Sequence, residues 1–239
     1  MAMLIFSILS YLIGMGSLVY FFWLLQFQPM EALPFDWNSL LFNIAIFLIF
    51  PLQHSILPRR FVKQRFSAYS HRPLYVLTSG IALWCVLFFW KPFGDVLYSN
   101  VLPVFFSAIF YASLALIIVS TIALGHTQMF GLYHGFAAWK KKPIPEGRLE
   151  EHGIYGIVRH PITSLLLVAL WSHSTLTVGR MCFNLLFSAY SVIGTLFEER
   201  SLIKEFGKDY LEYRQKVPAF FPRLTKKQQR SAQHPAEQK

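Results

Sequence analysis

The chain has 239 residues, of which 54% are hydrophobic, 17% aromatic and only 14% charged, and its mean hydropathy is +0.43. Soluble domains carry about 25% charged residues, so the composition excludes an ordinary soluble domain; the apolar residues fall in long runs that read as an integral membrane protein. The net charge of +10 does not point to nucleic acid, because the basic residues sit in short loops between those runs, where they report topology.

The first run, "MLIFSILSYLIGMGSLVYFFWLL" (3–25), is too long for a signal-peptide core and lacks a basic leader and a small-residue cleavage site, so it reads as a retained span. A second run covers about 38–54, a third about 74–90 and a fourth about 101–125, each near the ~20 residues a helix needs to cross the hydrocarbon. Cys85 and Cys182 lie inside apolar runs and are too few and isolated for a disulfide framework or a thiolate metal site, so both read as packing residues. The fifth run, from Pro161 to Phe197, is too long for one span and is interrupted by "WSHSTLTVGR" (171–180). It predicts a hairpin of two short helices, which makes about six transmembrane helices in an all-α membrane fold.

Lys and Arg test that count. Five lie in 55–73, five in 134–160 and ten from 200 onward, against none, one and one in the loops near 26–37, 91–100 and 171–180. Rich and poor loops alternate, as six spans require, and the positive-inside rule places both termini in the cytoplasm. Past the last span, Leu202, Phe206, Tyr210, Tyr213 and Val217 recur at helical spacing, which predicts one C-terminal amphipathic helix against the membrane or under the bundle. The final stretch, "TKKQQRSAQHPAEQK", reads as a disordered basic tail. The chain then divides into an N-terminal four-helix region (1–133), a cytoplasm-facing region (134–223) and the tail (224–239).

Three groups of residues could carry chemistry. Arg159-His160-Pro161 opens the fifth run. Proline is favoured at the first position of a helix, where its missing N–H costs nothing. The free N–H groups of that helix end, beside an arginine, suit a carboxylate or phosphate; the alternative is an arginine anchored to headgroups and a histidine acting as a polar cap. Glu198-Glu199-Arg200 lies where the last span ends, although helix C-termini favour cations. These carboxylates could accept hydrogen bonds from ribose hydroxyls or simply pair with Arg159 or Arg200. Among the eight histidines, His54 and His126 end the second and fourth spans. Facing histidines could ligate haem or a metal, but no HExxH, no i,i+4 His pair and no Cys–His pattern accompanies them, so no metal is expected.

The segments "GIYGIVRHP" and "FEERSLIKEFGKDYLEYRQKVP", separated by the hairpin, resemble the isoprenylcysteine carboxyl methyltransferase superfamily, and within it the NnrU, methanethiol S-methyltransferase and nurim-related branch. "LQHSILPRR" (52–60), "RPLYVLTSGIAL" (72–83) and "HTQMFGLYH" (126–134) echo it more weakly. The resemblance implies S-adenosylmethionine (SAM) as cofactor in a cytoplasm-facing pocket of an inner-membrane, bacterial-type methyltransferase. It implies Arg159, His160 and Glu199 as catalytic residues, and Tyr155, Val158, Arg159, His160, Pro161, Glu198, Glu199, Tyr210 and Tyr213 as cofactor-binding. Arg159 and His160 at Pro161 would receive the methionine carboxylate, the glutamates would meet the ribose or amino group, and the tyrosines would wall the adenine or sulfonium. The acceptor would be a small thiol such as methanethiol, reaching the site from the lipid bilayer. The chain departs from the family pattern in two places. Thr163 and Leu165 stand where an aromatic residue and a glycine usually follow RHP, and "HTQMFGLYH" replaces a pattern close to "HFDLFGLRQ". An isoprenylcysteine-type or lipid-type acceptor, and a non-catalytic nurim-like membrane protein, therefore stay open as alternatives.

Overall fold

The structure, a computed structural model, describes residues 1–28 and 32–223; the tail expected from 224 onward lies outside the described residues. In chain order the elements are α1 (Ala2–Phe27), α2 (Trp37–Ile56), the single turn α3 (Arg60–Lys63), α4 (Ala68–Phe89), β1 (Val96–Tyr98), α5 (Pro103–Ala123), the single turn α6 (His126–Met129), α7 (Leu132–Lys140), a 3-10 turn (Gly153–Gly156), α8 (Pro161–Trp171), β2 (Leu176–Thr177), α9 (Val178–Phe206) and α10 (Lys208–Lys216). Among the described residues five helices, α1, α2, α4, α5 and α9, are long and apolar enough to cross a membrane. Their large apolar side chains, such as Val104, Ile122 and Phe88, point outward, where lipid replaces water as solvent.

Helix boundaries follow local chemistry. The Asp36 carboxylate accepts from the N–H groups of Asn38 (3.1 Å) and Ser39 (2.9 Å) and starts α2, Ser67 caps α4 through Ser70 N–H (3.1 Å), and Thr177 caps α9 through Arg180 N–H (3.2 Å). Such caps satisfy donors that the first helical turn leaves free. The buried face of α1 is Ser7, Ser10, Gly14, Ser17, Phe21 and Leu25. Small residues on its first half allow close backbone approach: a Cβ on Gly80 of α4 would stand 2.8 Å from the Gly14 Cα.

The large core residues are concentrated at one end of the bundle. Phe21 and Leu25 of α1, Phe47 of α2, Val86 of α4 and Phe183 and Phe187 of α9 form one cluster, with Phe183 and Phe187 rings 4.5 Å apart. Toward the other end, where α4 begins and α9 approaches Glu199, aromatic filling gives way to a cavity.

Two expectations are corrected. The run 161–197 does not form two short helices. α8 has 11 residues, about 16 Å, which is roughly half the ~30 Å hydrocarbon thickness, whereas α9 has 29, about 43 Å. From Ser172 the chain is extended instead. It pairs with β1 in a two-stranded antiparallel ladder, Val96 opposite Thr177, and receives Val101 N–H on Ser174 O (2.9 Å) and Tyr98 O–H on His173 O (3.2 Å). The break at 171–180 is therefore an extended, strand-paired segment, and it is α9, running on to Phe206, that departs from the expected short helix. α8 still packs on α9, through Thr163 and Thr195 hydroxyls 3.2 Å apart and Trp171 N–H on Ser188 Oγ (3.1 Å). The expected single tail helix is likewise two. It breaks at Gly207, φ +56° and ψ −122°, so Leu202 and Phe206 end α9 while Tyr210 and Tyr213 belong to α10. Folded together, these residues and Val217 make one small core.

Candidate active site

Pro161 starts α8 and His160 is its N-cap residue. The backbone just before it is not left to solvent: Arg159 N–H donates to Pro218 O (2.8 Å) and His160 N–H to Ala219 O (3.0 Å), and Ser164 Oγ donates to Phe220 O (2.8 Å). Residues 218–220 thus lie along the segment like a strap.

Arg159 completes the knot. It is 9% exposed. Its Nε donates to Glu199 Oε1 (3.0 Å), its Nη2 donates to the same oxygen, and its Nη1 donates to Arg214 O (3.1 Å) and Val217 O. His160 Nε2 lies 3.2 Å from Glu199 Oε1, and its Nδ1 lies 3.7 Å from Glu198 Oε2. Arg214 Nε approaches Glu199 Oε2 at 3.7 Å. A buried carboxylate is tolerable only when paired and hydrogen-bonded, and Glu199 has three cationic or imidazole neighbours. Glu198, next in sequence, has a side chain 59% exposed.

The knot borders a cavity of about 490 Å³, within the range of small-molecule sites. Of the residues expected from sequence, Tyr155, Arg159, His160, Pro161, Glu198, Tyr210 and Tyr213 line it; Val158 and Glu199 are buried but do not. Tyr155 donates to Ser120 O (3.2 Å) and accepts, through its carbonyl, from the Tyr213 hydroxyl (2.6 Å). Burial, then the charge of Glu198, pushes the Tyr155 phenol up; burial, then Tyr210, does the same for Tyr213. Tyr210 is pushed up to about 12, by burial first and by the Glu199 charge second. All three are therefore neutral hydrogen-bond donors near pH 7. The Tyr210 hydroxyl is buried without a hydrogen-bond partner among the described residues. The Arg159 guanidinium acts on it electrostatically, but no bond of normal geometry joins them.

The cavity has a second end. Arg148 and Glu150 join Glu198 at the charged end, while Leu18, Phe50, Val76 and Leu83 wall an apolar end that reaches between α1, α2 and α4. His54, Tyr75 and Ser79 supply the polar atoms there, and Arg72 lies between the two ends, within reach of the Glu198 charge. The sequence reading did not place these four in a site. Their signals were present, a histidine ending one span and "RPLY" opening another, but the separation of 21 positions between His54 and Tyr75 hides their contact.

The chain matches no protein-family model, and no solved structure matches it significantly. Curated proteins do. The methanethiol S-methyltransferase of Mycobacterium tuberculosis is 29% identical over 192 residues, 77% of this chain and 79% of that protein. Methanethiol S-methyltransferase 2 of Bradyrhizobium diazoefficiens is 30% identical over 193 residues, 78% and 74% of the two chains. Nurim of Rattus norvegicus is 27% identical over 184 residues, 70% and 68%. A bundle of apolar helices around a cavity charged at one end, with these relatives, defines the class: an integral-membrane methyltransferase. Within that class the chain belongs to the methanethiol S-methyltransferase family.

Proposed function

We propose that the cavity binds SAM at its charged end and that the protein methylates the sulfur of a small thiol, methanethiol being the acceptor named for its relatives. The observation that carries this reading is one cavity with two chemistries, carboxylates and cations at one end and apolar walls at the other. The residues fit the cofactor. Glu198, exposed and lining the cavity, can accept from ribose hydroxyls or the amino group; Arg148 offers a partner for a carboxylate, and His160 Nδ1, an acceptor while Nε2–H donates to Glu199, suits a donor such as the amino group. The unpartnered Tyr210 hydroxyl is a buried donor waiting for an acceptor, which a native core rarely leaves without a reason.

When bound, SAM supplies a methyl group activated by its sulfonium. The chain's own residues hold and orient. Arg159 and Glu199 act as positioning residues, because their hydrogen bonds fix α9, the α8 start and residues 214–218 into one wall. Tyr155, Tyr210 and Tyr213 present ring faces and neutral hydroxyls, and aromatic faces attract a sulfonium as they attract other cations. The apolar walls limit the water around the reacting sulfur, which favours in-line approach of a nucleophile.

We further propose that the protein resides in a bacterial inner membrane with both termini and the charged end of the cavity in the cytoplasm. The Lys and Arg distribution supports this. The short α8 and the extended residues 172–177 together make the sixth crossing. Purified protein given SAM and methanethiol should release dimethyl sulfide, read by gas chromatography. Absence of that product, with methylation of a prenylated cysteine instead, would assign the acceptor to the lipid-type branch.

A further inference from the structure

The apolar end of the cavity contains a hydrogen-bonded chain that the cofactor has no use for. His54, on the last turn of α2, has both ring nitrogens engaged. The Tyr75 hydroxyl lies 2.5 Å from Nε2 and the Ser79 hydroxyl 3.1 Å from Nδ1. The ring stacks on Phe50, centroids 5.0 Å apart. Arg72, one turn before Tyr75, lies over the Tyr75 ring at 5.3 Å and is held by its own Nε–H bond to Met129 O (2.6 Å). Tyr190 of α9 meets the His54 ring edge-on at 6.2 Å, and Glu198 contributes its charge from the same helix. The two hydroxyls satisfy the imidazole inside an apolar half-bundle, and the ring lines the cavity with Tyr75, Ser79 and Arg72.

We infer that this end holds the thiol acceptor and that Tyr75 hands the thiol proton to His54 as the sulfur attacks. The inference rests on the proposed methyl transfer. The relay uses the Nδ1–H tautomer of neutral His54, which its two hydroxyl partners both permit. Ser79 accepts from Nδ1–H, which leaves Nε2 as an acceptor for the Tyr75 O–H. The incoming S–H then donates to the Tyr75 oxygen. In the step, the S–H bond breaks and its proton passes to the Tyr75 oxygen while the phenolic proton passes to Nε2. The freed sulfur pair forms the new S–CH3 bond, and the old bond to the sulfonium breaks with its pair kept by that sulfur. One neutral sulfide and one neutral thioether result, and the positive charge of the sulfonium ends as an imidazolium. Arg72, over the Tyr75 ring, stabilises negative charge on the phenol oxygen during the transfer. Tyr75 is the catalytic contact; His54 and Ser79 act through it.

The test uses full-length protein in detergent, with Tyr75→Phe, His54→Gln and the double variant. Binding of S-adenosylhomocysteine, measured by titration calorimetry, should match wild type in all three, which shows that the fold and the cofactor end are intact. kcat/KM for methanethiol should fall by about 10²-fold or more in each single variant, the usual range for a lost general base, and the double variant should be no worse than the singles. Methaneselenol, already ionised near neutral pH, needs no base and should recover most of the loss. In the variants kcat/KM for methanethiol should keep rising with pH as the free thiol ionises, whereas wild type levels off earlier. Equal losses for thiol and selenol, or an unchanged pH profile, would overturn the relay. If wild type itself binds no S-adenosylhomocysteine, the cofactor reading fails instead, a separate outcome.

Discussion

Arg159 is the residue where sequence and structure differ most usefully. The sequence shows a cation beside a helix start and suggests that it meets a ligand. The structure commits its Nε, Nη1 and Nη2 to Glu199 and to two carbonyls of the C-terminal segment. Pairing with Glu199 is one of the two readings the sequence allows; the carbonyls of Arg214 and Val217 leave no sequence signal, since they lie 55 and 58 positions away. Arg159→Ala leaves Glu199 without its main partner, and breaking a buried pair typically costs about 3–5 kcal/mol; denaturation in detergent should show a loss of that order. Arg159→Lys should recover only part of it, because an ammonium cannot fork onto a carboxylate and two carbonyls together. A silent lysine variant would mean that the arginine merely anchors to headgroups. His134 gives a pH prediction. Burial first, then the charges of Arg72, His71 and Lys63, lowers it to about 4, and its Nδ1 is buried without a partner. The unfolded chain binds this proton near pH 6.5 and the folded one only near pH 4, so stability is full above pH 6.5 and declines as pH falls toward 4. His134→Gln should flatten that decline relative to wild type; an identical slope would remove His134 as its source.

Among elements, α1, α2 and α5 were legible to within a few residues, because a span of ~20 apolar residues has few alternatives. α4 begins six residues before its apolar run, in "AYSHRP", so Arg72 and Tyr75 enter the bundle on a helix whose first turns look like loop. α8 ends at Trp171, where the sequence breaks the run, whereas α9 was not legible in length: it runs on through the charged "FEERSLIKEF" to Phe206. The break at Gly207 was visible only as one glycine in "KEFGKDY". Its φ of +56° with ψ of −122° is a conformation other residues adopt at a cost of about 1–3 kcal/mol. A Cβ there would meet nothing within 4 Å, so Gly207→Ala tests backbone conformation alone. The variant should loosen α10, lower the melting temperature and weaken S-adenosylhomocysteine binding through Tyr210 and Tyr213. Wild-type affinity would show that this wall of the cavity does not depend on the turn.

For the whole molecule, topology is the statement furthest from any single contact. With Cys85 and Cys182 replaced by alanine, Ser99→Cys, an exposed position beside β1, should react with a membrane-impermeant maleimide on intact cells. Glu146→Cys, exposed in the loop that carries Arg148, should react only after permeabilisation; the reverse pattern would invert the protein. The class of fold and the C-terminal lining of the cavity could be read from the sequence because their signals are local: apolar length, RHP, a glutamate pair and a stripe of tyrosines. The N-terminal half could not, since the cavity exists only where α1, α2 and α4 stop filling their own core. The central claim is that the charged end of this cavity binds the methyl donor. Its most direct test is a thermal-unfolding titration of wild type and Glu198→Gln with S-adenosylhomocysteine. Wild type should gain about 2.7 kcal/mol at a hundredfold excess over the dissociation constant, and Glu198→Gln should need roughly ten- to a hundredfold more ligand for the same gain, the loss of one charge-assisted hydrogen bond. No stabilisation of wild type at millimolar ligand, or identical titrations for both proteins, would contradict the site.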